Sequence, residues 1–369
     1  MAAGHFYLLI LDIYIGFLIL LLVFFSLFKA YRIAKPRRST LPSANTDKRE
    51  YEPRVLVIVP CKGIDITAND NLMSIRKQRY GNFAAVAVVD SKRDPAMDAI
   101  NDVHMDYILS SRTYPTASGK VNAISTAIKK FRKFDVYVVA DSDIFVGRDW
   151  LEKLIAPLAD LNTGIATTFP YFEPVGGFWP QVKTVWGLVG QGMMESKITR
   201  FSWGGSMAFR KDIFDSEPYF KKFCEAVSDD IALTKIAKEK ELDIAYVPEA
   251  APVVRSNDNF GVFWEWSNRQ TALSISGNRK LFPIGIAFYG FQMLLFASGI
   301  ALSAVESPIF AVFLIPTALS IVQDAAKVRC VRPSIIIASV FMPFIYFANL
   351  LVGRAIRRIR WRGLYYTLH

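Results

Sequence analysis

The chain has 369 residues, 52% of them hydrophobic, so it can hold one sizeable domain and still supply membrane segments. Its net charge of +11 is concentrated. Lys29, Arg32, Lys35, Arg37 and Arg38 supply five charges, Arg354, Arg357, Arg358, Arg360 and Arg362 five more, and the remainder only +1. That distribution argues against a nucleic-acid partner, which needs a basic patch on the folded domain. Three histidines (His5, His104, His369) and three scattered cysteines (Cys61, Cys224, Cys330) argue against a zinc site and suit a reducing compartment.

Residues 6–28 form an apolar run of membrane-spanning length. The run lacks the basic start and small-residue cleavage site of a signal peptide, so residues 1–28 read as a retained anchor. A basic juxtamembrane linker, 29–53, follows. Between 54 and 280, short apolar runs alternate with helical patterns. Residues 55–59 end at Pro60-Cys61-Lys62-Gly63 and residues 84–89 at Asp90. A helix is expected over 118–131, a strand over 136–140 ending at Asp141, and a further helix over 150–158. This alternation predicts an α/β domain with an open, mainly parallel, Rossmann-like sheet. Its ligand crevice should lie at the carboxyl ends of the strands, the edge on which these loops fall.

Residues 281–305 and 308–322 are two further apolar segments, and 334–352 is a third, containing Pro343. Three crossings would carry the arginine tail, 354–369, to the outside, against the positive-inside rule. The C-terminal membrane region, 281–353, is therefore expected to have two crossings, with the third segment re-entrant or interfacial. Both basic clusters and the α/β domain then lie on the cytoplasmic face, where they also attract anionic lipid.

The main chemical signal is Asp141-Ser142-Asp143, two carboxylates at the end of a buried strand. Oxygen ligands of this kind can hold Mn2+ or Mg2+ against a diphosphate, although a surface turn or helix cap gives the same pattern. Lys120 heads a helix, where an ammonium and free N–H groups can jointly hold phosphate; an exposed helix lysine is the plain alternative. Asp229-Asp230, followed by Ile231-Ala232-Leu233, reads as a helix start with acids on the positive end of the dipole, or as a catalytic pair.

In order and spacing these pieces resemble glycosyltransferase family 2, specifically its ceramide-glucosyltransferase-like and cellulose-synthase-like membrane enzymes. The marks are Pro60-Cys61-Lys62-Gly63-Ile64-Asp65, Asp90 with Asp94-Pro95-Ala96, and Gly119-Lys120-Val121-Asn122-Ala123. Asp141-Ser142-Asp143, Gly204-Gly205-Ser206-Met207, Asp229-Asp230 and Trp361-Arg362-Gly363 with Tyr366 follow. The resemblance implies a GT-A domain with attached transmembrane helices. It gives Pro60, Lys62 and Gly63 the floor of the base site, Asp90 the base or ribose, and Lys120 the diphosphate. Asp141 would touch ribose or sugar and, with Asp143, the metal. Asp230 would be the general base, with Gly205, Asp229, Trp264 and Trp266 toward the acceptor. Relatives carry Gln or Arg, two residues, then Arg-Trp, where this chain has Trp266-Ser267-Asn268-Arg269-Gln270. Arg269 keeps the diphosphate clamp, and the missing tryptophan counts against a processive polysaccharide synthase.

The activity implied is inverting, metal-dependent transfer of one hexose from GDP-mannose or UDP-glucose to a lipid or polyprenol-linked acceptor. A glutamine-poor composition hints at a thermophile and tips the reading toward mannose. A nucleotidyltransferase lacks its Gly-rich signature here, and a transporter would need more crossings. A non-enzymatic membrane scaffold would have no use for the acid set.

Overall fold

The computed structural model describes residues 2–34, 51–361 and 364–367. Lys35, Arg37, Arg38, Arg362 and Gly363 lie outside the described residues. In chain order the first elements are α1 (Ala2–Ala34), β1 (Val55–Pro60), α2 (Ala68–Arg76), β2 (Phe83–Val89), α3 (Ala96–Asp102) and β3 (Asp106–Leu109). Next come α4 (Gly119–Lys130), β4 (Val136–Ala140), β5 (Ile144–Phe145), α5 (Trp150–Ile155), β6 (Thr163–Thr167), β7 (Tyr171–Pro174) and α6 (Trp179–Met194). Then follow β8 (Ser206–Arg210), α7 (Glu217–Cys224), α8 (Asp229–Glu239), β9 (Asp243–Tyr246), β10 (Val253–Ser256) and α9 (Phe260–Gly277). The chain closes with α10 (Leu281–Val305), α11 (Ile315–Ala325), α12 (Pro333–Ala355), β11 (Arg358–Trp361) and β12 (Leu364–Thr367). They divide into two compact units.

The sheet unit comprises Arg37–Gly176, Val189–Asn257 and Arg357–His369. Its main sheet runs β3-β2-β1-β4-β8-β6-β9. β1 pairs in parallel with β2 and β4, and only β8 opposes its neighbours. Continuous apolar strands such as Val55 to Val59 and Val136 to Ala140 are buried throughout, as parallel strands covered on both faces must be. Leu56, Ile58, Val88 and Val139 meet Ile124 of α4, Phe209 of β8 and Leu233 of α8 in one core. Burying side chains of this size stabilises by about 2 kcal/mol each. A small sheet, β5-β10-β7, hangs on the segment just after Asp143, and β11–β12 form a separate hairpin.

The helical unit comprises Met1–Pro36, Gly177–Leu188 and Asp258–Ile356. Among the described residues, four of its helical segments are long and apolar enough to cross a membrane: Leu9–Ala34, Leu281–Val305, Pro308–Ala325 and Pro333–Ala355. Two differ from the sequence expectation. The anchor does not stop at Phe28 but runs through Lys29 and Arg32 to Ala34. The segment expected to be re-entrant or interfacial is one uninterrupted helix, Pro333–Ala355, with Pro343 inside it, which removes the break of a re-entrant segment and leaves the interfacial alternative standing. A proline removes one ladder bond, and tight packing around Met342 and Tyr346 holds the helix through the gap. Pro308–Ala325 begins with a 3-10 stretch, Pro308–Leu314. Seven residues rising about 2.0 Å and eleven rising about 1.5 Å give roughly 30 Å, the thickness of a hydrocarbon core.

Candidate active site

The carboxyl edge of the main sheet collects the predicted donor residues. β1 ends at Pro60, and Gly63 follows with φ +73°, a left-handed conformation that glycine adopts without strain. The Gly63 N–H donates to Asp94 Oδ1 at 2.8 Å, and the same oxygen accepts from Ala96 N at 3.0 Å. That pair of hydrogen bonds ties the β1 loop to the head of α3. Asp90, just past β2, accepts from Lys62 Nζ at 2.9 Å and from Arg112 at 3.2 Å. Burial works against the Asp90 carboxylate, but the two cations outweigh it and hold its pKa below the usual range. Arg112 did not stand out in the sequence; its place in the loop after β3, on the same edge, was the available signal.

Asp141 leaves the end of β4, its N–H donating to Gly205 O at 3.0 Å in the loop before β8. Ser142 is buried: its hydroxyl donates to Asp65, and its carbonyl accepts from Asn71 Nδ2 at 3.2 Å. The middle residue thus rivets the loop, leaving the half-buried Asp141 and Asp143 on either side of it. Lys120, in the first turn of α4, is buried rather than exposed. Its Nζ lies 2.7 Å from Asp141 Oδ1, 3.3 Å from Asp229 Oδ2 and 3.0 Å from Gly204 O. Burial opposes the Lys120 charge, yet Asp141 and Asp229 overcome it and raise its pKa. Burial pushes the Asp229 carboxyl up, against the pull of Lys120 and with the repulsion of Asp230.

Asp229 and Asp230 open α8 but point differently. Asp229 is 2% exposed and faces Lys120. Asp230 is half-buried, its Oδ1 accepting from the Ser228 hydroxyl and the Ile231 N–H. The two glycines before β8 have packing reasons. A Cβ on Gly204 would sit 2.6 Å from Asp229 Oδ2, and one on Gly205 would lie 2.2 Å from the Trp203 ring.

Arg269, Trp264 and Trp266 belong to the helical unit, on α9. Trp266 meets Trp186 edge-on at 4.8 Å, and Lys183 Nζ sits 4.4 Å from its ring centroid. Lys183 is also paired with Asp258 at 2.8 Å. Trp266 is therefore packed within its unit rather than free as an open platform. Trp264 stacks on Phe260 at 5.9 Å, and Arg269 is half-buried.

The profile of glycosyl transferase family 21 matches residues 17–369. The chain belongs to that family. This is the ceramide-glucosyltransferase-like side of the motif resemblance. Among solved structures, the mannosyltransferase of Pyrobaculum calidifontis in complex with GDP-Man and Mn2+ is similar at a TM-score of 0.50. Its sequence identity is 16%, and the match covers 92% of this chain and 94% of that one. Glucosyl-3-phosphoglycerate synthase of Mycobacterium tuberculosis, solved with Mn2+, UDP and phosphoglyceric acid, matches at a TM-score of 0.43. Its identity is 16%, and 61% of this chain and 78% of that one are covered. No curated protein sequence matches the chain. This family member is thus a glycosyltransferase with the GT-A fold, its mainly parallel sheet accompanied by four candidate membrane helices.

Proposed function

We propose that the protein is an inverting, metal-dependent hexosyltransferase that moves one sugar from a nucleoside-diphosphate donor to a lipid acceptor at the cytoplasmic membrane face. The observation that carries this reading is the Asp141–Lys120–Asp229 bridge. It joins the Asp141-Ser142-Asp143 loop to the Asp229-Asp230 helix head, so donor-side and acceptor-side acids share one edge.

The acids fit a divalent cation of the Mn2+ or Mg2+ class. Asp141 and Asp143 are half-buried oxygen donors. Among the described residues no three His, Cys, Asp or Glu side chains are grouped to hold a metal unaided. Such cations use one or two carboxylates and complete their shell with water and substrate phosphate, which suits this pair. When bound, the cation neutralises the leaving nucleoside diphosphate. The chain's own groups do the rest. Pro60 to Gly63 and Asp90 hold base and ribose, while Lys120 and the head of α4 take the diphosphate. Asp230, half-buried and less enclosed than its neighbour, takes the proton of the acceptor hydroxyl, and Asp229 fixes Lys120. One displacement inverts the anomeric centre, so an α-donor yields a β-product.

Mannose from GDP-mannose is the favoured donor, with UDP-glucose second; the Pyrobaculum relative was solved with GDP-Man and the mycobacterial one with UDP. Thermal unfolding of the purified protein with Mn2+ and a panel of nucleotide sugars tests this, because a true donor stabilises by mass action. Stabilisation by none of them, or full transfer in excess EDTA, would sink the reading.

The connectivity supports the topology. The chain leaves the sheet unit at Asp258 and rejoins it at Arg357, and a tail that stays on the side of that unit calls for an even number of crossings between them. On this reading two of the three C-terminal candidates cross fully and Pro333–Ala355 lies in the membrane interface. Ser334→Cys and Thr367→Cys should both resist an impermeant thiol reagent in sealed right-side-out vesicles. Labelling of Thr367→Cys alone would mean that Pro333–Ala355 crosses.

A further inference from the structure

The first turn of α4 carries a contact that the donor reading does not use. Ser118 caps this helix by accepting from Val121 N at 3.1 Å. The Gly119 N–H, one of the orphan donors of a helix start, donates instead to the Tyr366 hydroxyl at 3.1 Å. Tyr366 lies on β12, the second strand of the C-terminal hairpin, 247 residues further along the chain. α4 follows β3 and leads into β4, so its first residue lies on the carboxyl edge of the sheet, where Asp141 also emerges.

The hairpin register gives its two faces different tasks. Ile359 pairs with Tyr366, and Arg360 with Tyr365. Directly opposed residues share a face, so Ile359 and Tyr366 point one way and Arg360 and Tyr365 the other. Ile359 is 3% exposed and Tyr366 half-buried, whereas Tyr365 is 69% exposed. The hairpin is thus seated on the sheet unit by the face that carries the Tyr366 hydroxyl.

A phenol both accepts and donates. With its oxygen engaged by the Gly119 N–H, the Tyr366 hydroxyl keeps its own proton to offer. The adjacent residue, Lys120, sends the ammonium that ties Asp141 to Asp229. We propose that Tyr366 is a donor-binding residue and the hairpin a strap that completes the nucleotide-sugar site. The Gly119 amide orients the hydroxyl, and the hydroxyl donates to a diphosphate oxygen held at the head of α4. This rests on the reading that the diphosphate sits there.

The test is calorimetric binding of GDP and of UDP, each with Mn2+, to the full-length protein in detergent. Tyr366→Phe removes the hydroxyl and keeps the ring. It should weaken the nucleotide that binds the wild type about tenfold, the usual scale for one hydrogen bond to a charged group. The unfolding temperature of the ligand-free protein should fall only slightly, because the Gly119 N–H is part-buried and water can replace the lost acceptor. Tyr365→Phe, on the opposite face, should bind as the wild type does. A lower unfolding temperature with unchanged affinity would make Tyr366 a structural tie and overturn the proposal. Equal weakening by both tyrosine variants would overturn it too, because the effect would then belong to the hairpin at large. Asp143→Asn separates the two layers. If it abolishes binding while Tyr366→Phe does not weaken it, the strap fails and the donor reading stands. If the wild type binds neither nucleotide, both fail.

Discussion

Two buried polar networks of this protein, one in each unit, are built on opposite terms. In the helical unit, Asn349 is fully buried and matched on every side. Its Oδ1 accepts from Trp186 Nε1 at 3.0 Å, and its Nδ2 donates to Asn268 Oδ1 at 2.8 Å and Ser267 Oγ at 3.2 Å. Lys183 is paired with Asp258 and roofed by Trp266. At the head of α4 in the sheet unit the network is built instead of ionisable groups, and it opens onto the sheet edge. One ammonium faces two carboxylates, and Asp229 Oδ2 makes no hydrogen bond although Lys120 is 3.3 Å away. A network that closes on itself rigidifies a core. One built of ionisable groups at an open sheet edge is the kind of arrangement found where ligands bind, in line with the function proposed above.

The sharpest way to break this comparison is at the acids. Asp230→Asn should keep donor and metal binding and cut turnover by roughly 100-fold or more, the scale of a lost general base. Asp229→Asn should be milder. The reverse order would move the base to Asp229. EDTA should abolish transfer and Mn2+ or Mg2+ should restore it. Lys120→Met comes next. Removing the shared cation leaves Asp141 and Asp229 uncompensated, which should cost about 3 kcal/mol of stability and weaken donor binding. A variant as stable as the wild type would mean that the bridge is loose in solution. Asn349→Leu should cost about 1–2 kcal/mol, because Trp186, Ser267 and Asn268 lose their partner, yet leave turnover per folded molecule unchanged. Loss of turnover at unchanged stability would show that the helical network also serves the reaction.

The strand ends were legible in the sequence because an apolar run of five residues, as at Val136 to Ala140, has few ways to be buried other than as a central strand. The acids that follow such runs necessarily land on the ligand edge. The burial of Lys120 was not legible. It depends on Gly204, 84 residues away, whose missing side chain leaves room for the ammonium and for Asp229. Trp266 looked open for an acceptor because spacing along α9 says nothing of Trp186, which covers one of its edges. Pro343 suggested a break, yet packing on α12 overrides a local preference that a lone helix would obey.

The smallest effect concerns Asp90. Burial would raise its pKa, but Lys62 at 2.9 Å and Arg112 at 3.2 Å more than reverse that and depress it below the unfolded value of about 3.9. A carboxyl depressed in this way contributes stability above its unfolded pKa and loses it as pH falls through the folded one. The amount is small, because Lys62 and Arg112 are 34% and 59% exposed and water screens both pairs. Asp90→Asn should therefore cost less than about 1 kcal/mol in the ligand-free protein. The penalty should stay level from pH 8 to about pH 4 and fade only in stronger acid. Thermal unfolding of wild type and variant across that range checks it. A penalty that already shrinks near pH 6 would mean that burial, not the two cations, governs Asp90. Asp90 would then be poised as a protonated acid rather than as the carboxylate that the proposed nucleotide contact requires.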